Sequence, residues 1–275
     1  MSRKDVKNLL KSYGIRPSKA FGQNFLVNEK AFEKIIETAE LSKKDLVLEI
    51  GPGIGNLTLK LAKKTKKVIA IEKDKRMCEI LKNIIQSQNI KNIKLINKDI
   101  LKTDLGIYTL KPYKLIANLP YYITSPVIRR FLEMKNPPES MILMIQKEVA
   151  QRICAKPNKM SLLAVSVQFY AKPKIISYIS KKSFWPEPKV DSAIIKIVPL
   201  KTKFSKKFTE KFFKIVKAGF SHPRKQLINN LSKGLKMEKE KIKEWLLKNN
   251  VQPSQRAETL GVDEWQKLTK SFNIQ

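Results

Sequence analysis

The tetrapeptide Asn-Leu-Pro-Tyr at residues 118–121 combines groups that suit chemistry on a planar amine. An amine conjugated to an aromatic ring is a poor nucleophile because its lone pair is delocalised into the ring. If the side-chain oxygen of Asn118 and the backbone carbonyl of Leu119 accept its two N–H bonds, the nitrogen is drawn towards tetrahedral geometry. Pro120 stiffens this turn, and Tyr121 offers a ring face on which an extruded base can stack.

A glycine-rich segment predicts where a nucleoside ligand would bind. Residues 49–55 read Glu-Ile-Gly-Pro-Gly-Ile-Gly, after an apolar run and before a helical pattern. Gly51 and Gly53 permit a tight turn and the close approach of a ligand. A dinucleotide fingerprint would have its third glycine where Asn56 stands, so the spacing disfavours a pyrophosphate. An acid ahead of the glycines instead fits S-adenosylmethionine, which carries an amino-acid group. A plain strand-to-helix turn is the alternative.

Acidic residues follow the next two predicted strands. Glu72 comes 21 residues after Gly51, where a carboxylate can accept both ribose hydroxyls. Asp99 follows the third strand, in a position to accept a hydrogen bond from the adenine amino group of the ligand. Such ligands bind at the carboxyl edge of an open α/β sheet. The order of Gly, Glu and Asp therefore predicts a site for S-adenosylmethionine, although either acid alone would also fit a surface loop.

Methyl transfer from a sulfonium is the reaction that these groups predict. It needs neither a metal nor a covalent nucleophile, so positioning and electrostatics would have to supply the rate. The chain has two cysteines and one histidine, too few for a disulfide framework or a zinc site.

These side chains require a sheet to position them. Short apolar runs alternate with helical periodicity, which predicts an α/β fold with a Rossmann-like, mostly parallel sheet. The last two strands, joined by a short loop, predict an antiparallel hairpin at the sheet edge. The predicted strands are 47–50, 68–71, 93–96, 115–117, 141–145, 175–179 and 193–198.

Charge and length indicate two domains and a polyanionic partner. The 275 residues contain 56 Lys and Arg against 24 Asp and Glu, a net charge of +32. Nucleic acid explains such a charge, and a proteome rich in lysine throughout is the alternative. Residues 1–200 are predicted to form the α/β domain, with 1–30 as an N-terminal extension. Residues 201–275 read as a small helical domain with 18 Lys and Arg against 7 Asp and Glu.

The same sequence disfavours secretion and membrane insertion. The N-terminus is charged where a signal peptide would turn apolar. No apolar run approaches the roughly 20 residues that cross a bilayer. We therefore expect a cytoplasmic monomer that uses no metal and binds no membrane.

Longer motifs resemble those of a known family. Taken with the tetrapeptide and the glycine-rich segment, they are similar to motifs of the rRNA adenine N6-methyltransferases, and among these to the small-subunit (16S) dimethyltransferases of the kasugamycin-resistance type. The resemblance extends from Phe21 to Leu260. The further motifs are Phe-Gly-Gln-Asn-Phe-Leu at 21–26, and the segments 146–152, 184–192 and 256–260.

The resemblance implies a substrate and additional site residues. It implies dimethylation of adenine N6 in 16S rRNA within the small ribosomal subunit, with S-adenosyl-L-methionine as the methyl donor. Asn24 and Leu26 of the N-terminal extension would close over the cofactor, and Asn118 would complete its site. Phe184 would sandwich the target adenine against Tyr121.

The sequence departs from the family pattern at two places. Residues 222–225 read His-Pro-Arg-Lys where the family often has Arg-Arg-Lys, and Trp185 stands where smaller residues are common.

Two other functions remain as alternatives to the small-subunit enzyme. They are a large-subunit (23S) adenine methyltransferase of the macrolide-resistance type and a ribosome-assembly factor that binds RNA without catalysis. The 21–26 motif and Leu119 favour the small-subunit enzyme, and the intact cofactor residues argue against a non-catalytic factor.

Overall fold

The chain forms two compact units. The computed structural model describes residues 1–18, 20–108, 112–202 and 204–272. Lys203, near the start of the predicted helical domain, lies outside the described residues. The first unit comprises Met1–Ala150 and Pro173–Pro199, and the second Gln151–Lys172 and Leu200–Gln275.

Every strand predicted from the sequence is present, and helices connect most of them. The helices of the described chain are α1 (Arg3–Ser12), α2 (Glu29–Ala39), α3 (Thr58–Lys64), α4 (Lys75–Ser87), α5 (Thr124–Glu133), α6 (Lys147–Ile153), α7 (Leu162–Tyr170), α8 (Lys206–Gly219), α9 (Leu227–Leu235), α10 (Lys239–Lys248) and α11 (Val262–Ser271). The strands are β1 (Phe25–Leu26), β2 (Leu46–Ile50), β3 (Lys67–Glu72), β4 (Ile93–Asn97), β5 (Lys114–Asn118), β6 (Ser140–Gln146), β7 (Ala171–Ile179), β8 (Phe184–Trp185) and β9 (Ser192–Pro199).

Seven strands form one mixed sheet in the order β4-β3-β2-β5-β6-β9-β7. The pairs among β2, β3, β4, β5 and β6 are parallel, whereas β9 is antiparallel to β6. The predicted Rossmann-like α/β fold is thereby confirmed. The register places Ile50 beside both Ile71 and Ala117. Because the strands run in one direction, the residues that follow them meet at one edge of the sheet.

The last two strands are neighbours at the sheet edge as predicted, but the prediction of a short loop between them is wrong. β7 and β9 are neighbours in the sheet, but residues 180–191 separate them and include the strand β8. β8 pairs antiparallel with β1, so that Phe25 faces Trp185 and Leu26 faces Phe184. A two-residue strand has too few positions to show a period of two, and its partner lies far away in the sequence.

The N-terminal extension belongs to the first unit and packs beside the glycine-rich segment. In α1, Val6 and Leu10 are fully buried in a cluster with Phe25 and Ile54. Asn28 is the N-cap of helix α2, and its side-chain oxygen accepts a hydrogen bond from the N–H of Ala31. The extension is therefore part of the structure around the sheet edge.

The second unit is helical and begins earlier than the predicted boundary. Phe169 of α7 stacks on Phe212 of α8, with ring centroids 4.1 Å apart, and Trp265 of α11 is fully buried. Helix α7 is apolar around most of its circumference and must be covered by other helices. This explains why residues 151–172 belong to the second unit, whereas the sequence placed them in a domain 1–200.

Candidate functional site

One cleft at the carboxyl edge of the sheet brings the predicted residues together. It encloses about 1260 Å3, including its open mouth. Strand ends that are far apart in the chain contribute to it because β2, β3 and β5 are adjacent and parallel. All eleven residues proposed from the sequence line the cleft: Asn24, Leu26, Gly51, Gly53, Glu72, Asp99, Asn118, Leu119, Pro120, Tyr121 and Phe184.

Glu72 holds the glycine-rich loop in place. Its carboxylate accepts the N–H of Gly53 at 3.0 Å and that of Asp74 at 2.8 Å. Gly53 has a φ of +56°, and a Cβ there would lie 3.3 Å from a ring carbon of Phe25. Only glycine is unstrained in that conformation and leaves the loop open to a ligand. Burial raises the pKa of Glu72, although the backbone N–H donors oppose the shift.

Two buried acceptors beside this loop lack a hydrogen-bond partner in the described part of the chain. They are Oε2 of Glu49 and Oδ1 of Asn56, and both residues line the cleft. The Asn56 amide nitrogen donates to the carbonyl of Leu26 at 3.1 Å, which leaves its oxygen unpaired. Unpaired buried acceptors cost free energy. A ligand with N–H donors, such as the amino-acid group of S-adenosylmethionine, would satisfy them.

The buried Glu49 carboxyl predicts a pH-dependent stability. Burial raises its pKa from 4.5 to about 8; the side chain of Thr58 opposes this shift, and the nearby Glu72 adds to it. Between these values the folded chain holds a proton that the unfolded chain releases, so the free energy of unfolding falls as pH rises. The slope is at most about 1.4 kcal/mol per pH unit. We expect Glu49→Gln to remove this component of the slope.

Urea unfolding of the wild-type chain and Glu49→Gln, at several pH values from about 5 to 8, measures the effect. Glu37→Gln is the matched control because that carboxylate is 72% exposed. Parallel stability curves for wild type and Glu49→Gln would contradict the assigned protonation.

The reactive turn is anchored from both sides. Asn118, the last residue of β5, donates through Nδ2 to the carbonyl of Asn24 at 3.2 Å. No other described residue bonds to its Oδ1, so the amide is oriented with its oxygen unpaired. The N–H of Leu119 donates to the carbonyl of Met144 in β6 at 3.2 Å. Pro120 then leads into a 3-10 turn that begins at Tyr121.

The two aromatic residues of the proposed base sandwich are held by different contacts. The Tyr121 hydroxyl lies 3.0 Å from Oγ of Ser192, and burial raises the pKa of this tyrosine. Phe184 lines the cleft, yet only 1% of it is exposed. A base stacked on Phe184 would therefore have to displace a neighbouring side chain. Arg3 holds the strand β8, donating to the carbonyls of Lys182 and Phe184 at 3.0 and 3.2 Å.

Asp99 is an ionised acceptor that also lines the cleft. Its partial burial would raise its pKa, but the N–H of Leu101 and the ammonium of Lys73 hold the pKa below the ordinary value. Lys73 Nζ lies 3.0 Å from the carboxylate, and the Leu101 N–H donates at 2.9 Å. An acceptor that stays charged near neutral pH suits an exocyclic amino group.

Sequence reasoning missed residues that support the site. Arg3 left no signal, because its contact joins residues 181 positions apart. Ser192 lies in the motif 184–192, but its contact with Tyr121, 71 positions away, could not be predicted from the motif. Lys73 was detectable, since it directly follows the predicted ligand Glu72 at a strand end. Asn56 was noticed only as a missing glycine, and its unpaired oxygen is a property of the folded chain.

Among the described residues, no three His, Cys, Asp or Glu side chains come together closely enough to hold a metal ion. Within the same ranges, the helices are too short or too polar to cross a membrane.

The sheet order, the glycine turn and the acids at the next strand ends define the class of S-adenosylmethionine-dependent methyltransferase folds. A family model described as "Ribosomal RNA adenine dimethylase" matches residues 15–273. The chain belongs to this family, which confirms the resemblance seen in its motifs.

Relatives and solved structures agree with this membership. The chain is 44% identical to "Ribosomal RNA small subunit methyltransferase A" of Dehalococcoides mccartyi (strain CBDB1), over 97% of this chain and 92% of the relative. The protein of that name from Alkaliphilus metalliredigens is 41% identical, over 98% and 96%. A dimethyladenosine transferase from Plasmodium falciparum superposes with a TM-score of 0.75 at 29% identity, over 89% and 95%. The 23S rRNA methyltransferase ErmE superposes with a TM-score of 0.74 at 26% identity, over 90% of this chain and 99% of that structure.

Proposed function

We propose that the chain transfers methyl groups from S-adenosyl-L-methionine to the N6 nitrogen of adenines in 16S rRNA of the small ribosomal subunit, twice per base. The observation that carries the proposal is the anchored amide of Asn118, whose oxygen is left unpaired at a cleft of the methyltransferase class. The names of the small-subunit relatives support the choice of RNA.

The cleft residues fit the cofactor, which when bound supplies an electrophilic methyl group on a sulfonium. Glu72 would accept the ribose hydroxyls, and Asp99 the adenine amino group. Glu49 and Asn56 would pair with the amino-acid end through the acceptors that are otherwise unsatisfied. The remaining cofactor-binding residues in this proposal are Asn24, Leu26, Gly51, Gly53 and Asn118.

The reactive turn would prepare the target nitrogen. Asn118 Oδ1 and the Leu119 carbonyl would accept the two N–H bonds of the unmodified amine, which would draw the nitrogen towards tetrahedral geometry and free its lone pair. The N–CH3 bond would form as the S–CH3 bond breaks, with the thioether as leaving group, and the nitrogen would then release one proton to solvent. At the second transfer one N–H remains, and one of the two oxygens would accept it. Pro120 keeps these acceptors at a constant separation, which avoids reorganisation during the reaction. Tyr121 would stack on one face of the base, and Phe184 would stack on the other once the side chain that covers it moves aside.

Electrostatics would provide most of the affinity for the RNA. A net charge of +32 favours phosphate contacts that do not depend on sequence, so binding should weaken steeply with salt. The basic helical region 201–275 is proposed to contribute to this RNA binding. We further propose that the chain acts as a monomer in the cytoplasm, where an extruded base and RNA shape provide specificity.

Radiolabelled methyl transfer to under-methylated small subunits, followed by digestion to nucleosides, tests the proposal. Dimethyladenosine in 16S rRNA is the expected product. Methylcytidine, or an unlabelled RNA, would overturn it. Large subunits are assayed in parallel because the similarity to ErmE makes 23S rRNA the second candidate substrate. Label confined to 23S rRNA, together with macrolide resistance of cells that express the chain, would favour that candidate.

A further inference from the structure

Tyr122 is the most exposed large apolar side chain of the described chain, with 56% of its surface accessible. It lines the cleft and follows Tyr121 in the 3-10 turn. Successive residues of such a turn point in different directions. The Tyr121 hydroxyl is accordingly held by Ser192, while the ring of Tyr122 is open to solvent at the cleft. An open aromatic face in a cleft can stack on a planar base.

The surroundings of Tyr122 indicate what this surface binds. Gly22 approaches so closely that a Cβ there would lie 3.6 Å from a ring carbon of Tyr122. Lys73 lines the same cleft, with its ammonium 3.0 Å from the Asp99 carboxylate. Lys98 lines the same cleft. A supported ring beside ammonium groups suits a nucleobase with its phosphate, since bases stack on aromatic faces and phosphates attract lysines.

We infer that Tyr122 is a second base platform, on which the nucleotide next to the target adenine stacks at the mouth of the cleft. This inference rests on the proposed function and extends it to a flanking nucleotide. Tyr121 and Tyr122 are consecutive in the turn, and both line the cleft. A strand that delivers its target base to Tyr121 therefore passes close to Tyr122.

Tyr122→Ala tests the platform against Tyr122→Phe, which keeps the ring. Tyr178→Ala is the matched control, because Tyr178 is 52% exposed on β7 and does not line the cleft. The measurements are kcat and KM for under-methylated small subunits, their filter-binding Kd, and the Kd for S-adenosylmethionine. Loss of one base–aromatic stack weakens binding, so Tyr122→Ala should raise the subunit KM and Kd about tenfold, which is about 1.4 kcal/mol.

In this experiment Tyr122→Phe and Tyr178→Ala should keep the wild-type affinity for subunits, and Tyr122→Ala should keep the wild-type Kd for the cofactor. Any of four results would overturn the inference. Tyr122→Ala could bind subunits as tightly as wild type, lose affinity only for S-adenosylmethionine, or lower only kcat. Alternatively, Tyr122→Phe could lose as much subunit affinity as Tyr122→Ala. The proposed function is tested separately. It fails if the wild-type protein produces no dimethyladenosine in the rRNA of under-methylated small subunits. Filter binding still reports on Tyr122 in that case.

Discussion

Asn118→Ala is expected to lower kcat for methyl transfer to small subunits about 100- to 1000-fold, the usual cost of removing one pre-oriented hydrogen-bonding group from a reaction centre. The alanine lacks the oxygen that would accept an N–H bond of the target amine. It also lacks the nitrogen that bonds the carbonyl of Asn24. The target nitrogen would then keep its lone pair in the ring, and its attack on the methyl group would slow.

Single-turnover rates with under-methylated subunits measure this effect on the chemical step. The Kd for S-adenosylmethionine should change far less than the rate, because other strand-end residues also hold the cofactor. Asn83→Ala is the control, since this exposed asparagine bonds Tyr13 and does not line the cleft. A single-turnover rate close to that of wild type in Asn118→Ala would disprove the proposed role of the amide.

Glu72→Gln is expected to raise the Kd for S-adenosylmethionine about 100-fold, since each hydrogen bond to a charged group contributes about 1.5–3 kcal/mol. The amide has one acceptor oxygen in place of two, and its NH2 group would face an N–H donor, either of Gly53 or of Asp74. The glycine loop and the proposed ribose contacts would both be weakened.

Isothermal titration of the full chain with S-adenosylmethionine measures that Kd, with the exposed Glu79→Gln as the carboxyl-to-amide control. The wild-type affinity should also fall as pH is lowered, and at a higher pH than an ordinary glutamate would cause, because burial raises the pKa of Glu72. Glu72→Gln should not show this pH dependence. Tight binding by Glu72→Gln at every pH would exclude the ribose role.

The sheet was predictable from local patterns, and its irregular edge was not. β2, β3 and β5 are apolar runs buried on both faces, and such runs read as strands without knowledge of the fold. β8 has two residues and exists only because β1 lies beside it. The limits of the second unit were missed for a similar reason, since the covering of α7 by α8 is a contact between distant segments.

The candidate site divides in the same way. The types and order of Gly51, Glu72, Asp99 and Asn118 followed from the sequence, because each residue directly follows a recognisable strand. The orientation of the Asn118 amide, the unpaired oxygen of Glu49 and the coverage of Phe184 depend on neighbours from other segments.

The sequence alone therefore determined which groups stand at the carboxyl edge of the sheet, because parallel strands bring their ends together whatever surrounds them. Only the tertiary structure decided which of these groups are desolvated, paired or left open. Hydrogen bonding and pKa depend on distances of a few ångströms between residues that are remote in the chain, and no local pattern encodes those distances. The exposed ring of Tyr122 and the burial that raises the pKa of Glu49 are features of this second kind.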